Sequence, residues 1–215
     1  MSVNSAAAAA DALRVGVSGA GSPTLWADLN TASPALERGL AAEAERAGWL
    51  FADVSLMAPV PGRGVRTPML VAGSGAGRFA ELMAPFGGSI KVLDLPAGEA
   101  SQRKLLRSVF FKGIAAAVTE ALWAARAAGV EDWMREMIAR EFDAADGSFA
   151  RRLEEGSIRH AARRTEEMAA ASDLLGTLGV PSRVAAASRE WLADLARGEG
   201  DDRGEVDDRG EVDDA

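Results

Sequence analysis

The sequence predicts an α/β fold followed by an all-α one, and three observations carry that prediction. Up to residue 97, short apolar runs alternate with helical stretches and Gly/Pro punctuation, the texture of a largely parallel sheet with crossover helices. After residue 98 the strand texture stops. From there, residues 99–128 run without proline and with Gly113 as the sole interior glycine, which predicts a long central helix of about 45 Å. The expected organisation is an α/β domain over 1–97, an all-helical domain over 98–198 and an acidic repeat tail over 199–215.

The elements follow in order. VNSAAAAADAL (3–13) reads as a loop and a helix, and TLWADLN (24–30) as a strand. SPALERGLAAEAERAG (33–48) is a helix with Ser33 as N-cap, Pro34 at its first position and Gly48 as its stop. WLFADVSLM (49–57) is a second strand, and PVPGRG (59–64) a turn. TPMLVAG (67–73) is strand-like, RFAELMAPF (78–86) helical and SIKVLDLP (89–96) the last strand. The central helix closes at Gly129, and further helices are expected at 131–142, 148–155, 158–178 and 182–197. Its second half, 113–125, is apolar on nearly every face apart from Thr119 and Glu120, as in helices inside a bundle or a dimer interface.

Composition excludes several classes. Without cysteine there are no disulfides and no thiolate-held metal. No apolar run approaches the ~18 residues of a membrane span, and no basic-then-apolar start marks a secretory signal, so the expected compartment is the cytoplasm. The net charge of −8 is mostly local: residues 199–215 hold nine acidic side chains against two arginines, and the body is close to neutral. That argues against a nucleic-acid surface. The tail repeats DDRGEV at 201–206 and 207–212, has almost nothing to bury, and is expected to be disordered. His160, the single histidine, lies between Arg159 and Arg163 in a basic stretch and is assigned no role.

Six stretches in the same order resemble the β-hydroxyacid dehydrogenase family, the group of the 3-hydroxyisobutyrate and 6-phosphogluconate dehydrogenases. WADLNTASP (26–34) resembles its Asp-x-(Ser/Asn)-Thr-x-x-Pro strand and turn, and ADVSLMAPVPGRG (52–64) its substrate loop. TPMLVAG (67–73) stands at its hydrophobic-Gly-Gly strand, and GEASQRKLLRS (98–108) resembles the Gly-x-Gly-x-x-x-Lys-x-x-x-Asn segment that opens the long helix. FFKGIAAAVTEALWAARAAGV (110–130) and EEMAAASDLLGTLGVP (166–181) resemble its two later helices. KLLRS-x-FFKG and HAARRTEEM (160–168) are most similar to the 6-phosphogluconate dehydrogenase-like branch. The resemblance implies a partial Rossmann-like sheet and a helical C-terminal domain, an NADP or NAD cofactor, a small hydroxyacid substrate, and a homodimer through the long helix, with no nucleic acid and no membrane as partner.

The resemblance also assigns residues. Lys104 stands at the family's catalytic lysine, the base for the hydroxyl proton while a hydride leaves for nicotinamide. Partial desolvation beside a cationic ring would lower the pKa of such a lysine toward neutrality. Ser108 and Lys112 follow at four-residue steps and drift by only about 40° each, so the three share a helix face. With Pro61, Gly62 and Arg63 of the turn they are the candidate substrate contacts, Arg66 being a further anion partner. Thr31 and Asn4 match positions that approach the cofactor. Four positions depart from the pattern: Pro61 replaces a serine, Ala100 a glycine, Ser108 an asparagine and Glu166 a lysine.

The family's opening Gly-x-Gly-x-x-Gly unit has no counterpart. GVSGAG (16–21) leads into a turn and a strand rather than a helix. GSGAG (73–77) has a strand before, a helix after and Asp94 further on, but Arg78 takes the third glycine position. The expectation is an N-terminally shortened dehydrogenase with impaired cofactor binding. Two other readings stand beside it: a catalytically silent helical dimerisation module, and a dinucleotide binder through GSGAG.

Overall fold

A computed structural model describes residues 1–19, 22 and 24–199. The acidic repeat and the end of GVSGAG lie outside the described residues. The chain divides into two compact units, Met1–Phe111 and a second beginning at Lys112, with the division inside the long helix.

In the first unit, helix α1 (Ala9–Gly19) precedes strand β1 (Leu25–Asp28), helix α2 (Pro34–Arg46), strand β2 (Leu50–Leu56), strand β3 (Met69–Ala72), helix α3 (Ala76–Met83), strand β4 (Ile90–Val92) and the start of helix α4 (Glu99–Ala127). The strands lie side by side in chain order. Ser33 caps α2 as its sequence predicts, accepting from the Leu36 amide at 3.2 Å. β1 and β2 are parallel, as are β3 and β4, each pair joined through a helix. The expected parallel sheet is corrected at its centre: β2 and β3 run antiparallel, so the sheet is mixed. The reason lies in residues 57–68, where prolines, glycines and a short 3-10 turn (Gly64–Arg66) reverse the chain and no crossover helix is present.

Alternation along the strands sorts the side chains to two faces. Trp26 and Phe51 pack with Leu13 of α1 and Leu40 and Ala44 of α2, whereas Ala27, Ala52, Val54 and Val71 pack with Phe79 of α3. The same period places Asp28 and Asp53 on the α2 face, directly opposite one another in the β1–β2 register, and both are fully buried. Glu37, in the first turn of α2, is fully buried as well.

Asp53 has partners: its Oδ2 accepts from the amides of Gly98 (2.9 Å) and Ser101 (3.1 Å), and its Oδ1 from the Ser101 hydroxyl (2.7 Å). A carboxylate at the positive end of a helix is stabilising, and here it comes from a strand rather than from the helix's own sequence. Gly98, at φ +96°, permits the approach, since a Cβ there would meet the Pro34 carbonyl oxygen at 2.7 Å. Asp53→Ala leaves two buried amides without acceptors and is expected to cost about 1–3 kcal/mol in urea unfolding.

Among the described residues, Glu37 has no hydrogen-bond partner for either oxygen. Burial, then the nearby carboxylates of Asp53 and Asp28, push its pKa up from 4.5 to about 9. The neutral acid is therefore the native form across the intervening range. Because the folded value is raised, the stability this group contributes is complete below pH 4.5 and is lost as pH rises toward about 9. Urea unfolding midpoints are expected to fall across that window in the wild-type chain and to fall less in Glu37→Gln, which cannot ionise.

The second unit holds the rest of α4 with α5 (Glu131–Asp143), α6 (Phe149–Arg159), α7 (Ala161–Thr177) and α8 (Val184–Ala196). Its buried apolar residues are few, namely Ala125, Ala161, Leu175, Ala185 and Leu192. Glu120, the exception on the apolar stretch of α4, caps α8 by accepting from the amides of Arg183, Val184 and Ala185 at 2.6, 2.8 and 2.8 Å. Burial pushes its pKa up, but these three donors outweigh that and hold it below the usual value. Among the described residues no helix is long and apolar enough to cross a membrane.

Candidate functional site

In a sheet with parallel strands and crossover helices, ligands meet the carboxyl ends of the strands. At that end of β1 the backbone continues through Asn30 and Thr31, and Ser2 pairs with the outer edge of the strand by donating to Ala27 and accepting from Leu29. The buried Asn30 amide donates to the Ser2 hydroxyl at 3.0 Å and to Asn4 Oδ1 at 2.9 Å, and its backbone N–H donates to Asp28 at 2.8 Å. Burial pushes the Asp28 carboxyl above its ordinary value, against these hydrogen bonds. Asn4 Oδ1 also accepts from the Ser5 amide at 2.8 Å and from the Ser2 hydroxyl at 3.2 Å. With its oxygen held by three donors, the Asn4 side chain is fixed in orientation and its NH2 group remains to donate. Thr31, which follows Asn30 in sequence, is exposed.

On α4, Lys104 and Ser108 are both half-buried and one turn apart, beginning three residues after the Ser101 that Asp53 holds. Lys112 is the next residue on that face; it is exposed and belongs to the second unit. Pro61, Gly62 and Arg63 occupy the exposed turn between β2 and β3, where Arg63 donates to the Pro59 carbonyl at 3.5 Å. The structure thus joins Asn4 to the end of β1 by a direct hydrogen bond. It places Lys104 and Ser108 on a rigid, capped helix and Arg63 on a separate loop of the same unit.

The glycines of GSGAG have another use. Gly73 donates to Leu95, Gly75 to Phe51 at 2.7 Å and Ala76 back to Gly73. A Cβ on Gly75 would meet Leu25 Cδ1 at 2.3 Å and the Phe51 backbone at 2.9 Å. The Ser74 hydroxyl is shared between Glu45 and the Phe51 amide. The amides of Gly73, Gly75 and Ala76 are thus engaged within the fold, that of Gly75 with β2, and are not free to cradle a pyrophosphate. The first glycines of GVSGAG, Gly16 and Gly19, lie in the closing turns of α1, the wrong end of a helix for a phosphate.

Two residues that matter to this arrangement had no role in the sequence reading, Asp53 and Ser101. The available signal was an aspartate inside the apolar run of β2, which must find donors when buried. Among the described residues no group of three or more His, Asp and Glu could hold a metal ion.

Residues 125–195 match the model of the family described as Domain of unknown function (DUF1932). No curated protein matches the chain. Among solved structures, the chain is 28% identical to a conserved protein of unknown function, MTH1747, described as structurally similar to 3-hydroxyacid dehydrogenases; the likeness covers 92% of this chain and 75% of that one, at a TM-score of 0.56. A conserved hypothetical protein from Sinorhizobium meliloti 1021 is also 28% identical, over 94% of this chain and 68% of its own, at a TM-score of 0.52. A reductive aminase from Aspergillus terreus, solved with NADPH and ethyl-5-oxohexanoate, shares the fold at 20% identity, over 87% of this chain and 71% of its own, with a TM-score of 0.68. The ordered motifs and these likenesses point the same way: the chain is similar to a protein described as resembling 3-hydroxyacid dehydrogenases, and its residues 125–195 match the DUF1932 model.

Proposed function

We propose that this protein is an NAD(P)-dependent oxidoreductase that moves a hydride between nicotinamide and a small hydroxyacid, with Lys104 as general acid/base. The observation that carries the reading is the likeness to MTH1747, itself similar to 3-hydroxyacid dehydrogenases, over nearly the whole chain. The reductive aminase with NADPH and an imine reductase from Myxococcus stipitatus with NADP+ support a nicotinamide cofactor on this fold.

Oxidation of a hydroxyacid removes a proton from oxygen and a hydride from carbon. Bound nicotinamide would supply the hydride acceptor. Lys104 would take the hydroxyl proton, held in place because Asp53 fixes the first turn of its helix. Ser108, one turn on, would bond the substrate, and Arg63 and the backbone of Pro61 and Gly62 would receive its carboxylate. Thr31 and the NH2 group of Asn4 would hold the cofactor at the end of β1. GSGAG, with its amides engaged in the fold, supports no pyrophosphate contact.

Titration with NADPH and NADH, followed by nicotinamide fluorescence, is expected to saturate for at least one of them. A hydroxyacid screen with the preferred cofactor should then yield turnover that Lys104→Ala lowers by about 10²–10⁴-fold with little change in cofactor binding. Unchanged turnover in Lys104→Ala would remove the assignment.

A second reading, a homodimer formed through the long helix, rests on exposed apolar surface in the second unit. Trp123 is 51% and Trp133 56% exposed, and neither α5 nor α6 buries a residue. Trp133 lines a groove of about 470 Å³ together with Ala117, Ala121, Met134, Leu174 and Leu178. Patches of this kind mark partner surfaces. Sedimentation equilibrium is expected to give a dimer for the wild-type chain and a monomer for Ala121→Glu; a dimer that binds neither cofactor would favour a silent helical module instead.

A further inference from the structure

A cleft in the second unit, formed by α6, α7 and α8, has features to which the proposed hydride transfer assigns no role. It has a volume of about 380 Å³ and is lined by Ser157, Arg164, Glu167, Ser188, Trp191 and Leu192. That size matches small-molecule sites.

Arg164 is half-buried. Its Nη1 donates to the Ser157 hydroxyl at 3.0 Å. It also lies against Gly156, where a Cβ would meet Nη2 at 3.2 Å and Nη1 at 3.6 Å, so the glycine lets the group settle onto the backbone of α6. Among the described residues no carboxylate forms an ion pair with Arg164. Glu167, the carboxylate in the lining of the cleft, is held by Arg163, one helical turn earlier. Arg164 also occupies the first turn of α7, which carries no acidic residue. An anion in the cleft would meet the guanidinium as a charge-assisted partner. A partly desolvated guanidinium retains unused donors that water serves poorly.

The rest of the lining sets the ligand's body. Trp191 is 62% exposed and offers an indole face, Leu192 adds apolar surface, and the Ser188 hydroxyl can serve a second anionic oxygen. We propose that this cleft binds a small organic carboxylate with an apolar or aromatic body, its carboxylate on Arg164 and its body against Trp191. Arg suits such a ligand because its planar fork matches a carboxylate in two places.

Benzoate is the probe. Added to the full chain, it is expected to shift the indole N–H resonance of Trp191 saturably in the millimolar range, with the other four tryptophans unmoved. Arg164→Gln should weaken this binding by about tenfold or more, as loss of one charge-assisted pair does. Trp191→Ala, a change at an exposed position, should weaken benzoate and leave inorganic phosphate unaffected. It keeps the test open if Arg164→Gln loses its helical circular dichroism. No saturable shift, equal binding by Arg164→Gln, or equal affinity for benzoate and inorganic phosphate would each overturn the proposal.

Discussion

The carboxylate of Asp53 ties the sheet of the first unit to the helix that leaves it. It stands in the middle of β2, fully buried, and accepts the opening amides of α4 together with the Ser101 hydroxyl. A helix start that lies against a sheet has amides that water cannot reach, and its own sequence offers no side chain to satisfy them at Gly98. One strand residue meets both needs. The direction in which α4 departs, and hence the position of Lys104 and Ser108, follows from that contact and from the close approach that Gly98 allows.

The same choice creates a crowd of acids. Strand alternation and the parallel β1–β2 register set Asp28 directly beside Asp53, and α2 brings Glu37 over the same face. Three buried carboxyl groups cannot all be ionised in so little solvent. The conflict is resolved by division of roles: Asp53 binds the donors of α4, Asp28 takes the Asn30 amide at the end of β1, and Glu37, without a partner, keeps its proton. The polar network at the carboxyl end of β1 and the cap of α4 therefore share one electrostatic environment within this unit.

The second unit repeats the device with a different residue, since Glu120 caps α8 with three backbone donors. A single acidic side chain on an apolar helix stretch is costly unless it is satisfied, and here it organises two helices. Its core is otherwise thin and made chiefly of alanine, which suits helices that pack closely but leaves Trp123, Trp133 and Trp191 outside. Those three do not share one environment. Trp133 lines an apolar groove, and Trp191 a cleft with Arg164 at its wall.

Much of this was legible in the residues. Helix boundaries followed from Ser33, Pro34 and the terminal glycines, because caps and breakers act locally. The shift from α/β to helical texture at residue 98 coincides with the start of α4. The antiparallel pairing of β2 and β3 was not legible, since a proline- and glycine-rich connection of this length reads only as a loop until its ends are placed. Nor was the use of GSGAG: its spacing suits a phosphate loop, and only the pairing of its amides with Phe51 and Leu95 shows that they are engaged. Sequence by itself determined which segments are helix or strand and which faces are apolar, since both depend on neighbours a few residues away. The tertiary structure decided which polar groups meet: Asp53 with Ser101, Asn30 with Asn4, Arg164 with Ser157. Burial and hydrogen bonding between residues distant in the chain are properties of the packed molecule, and no local pattern encodes them.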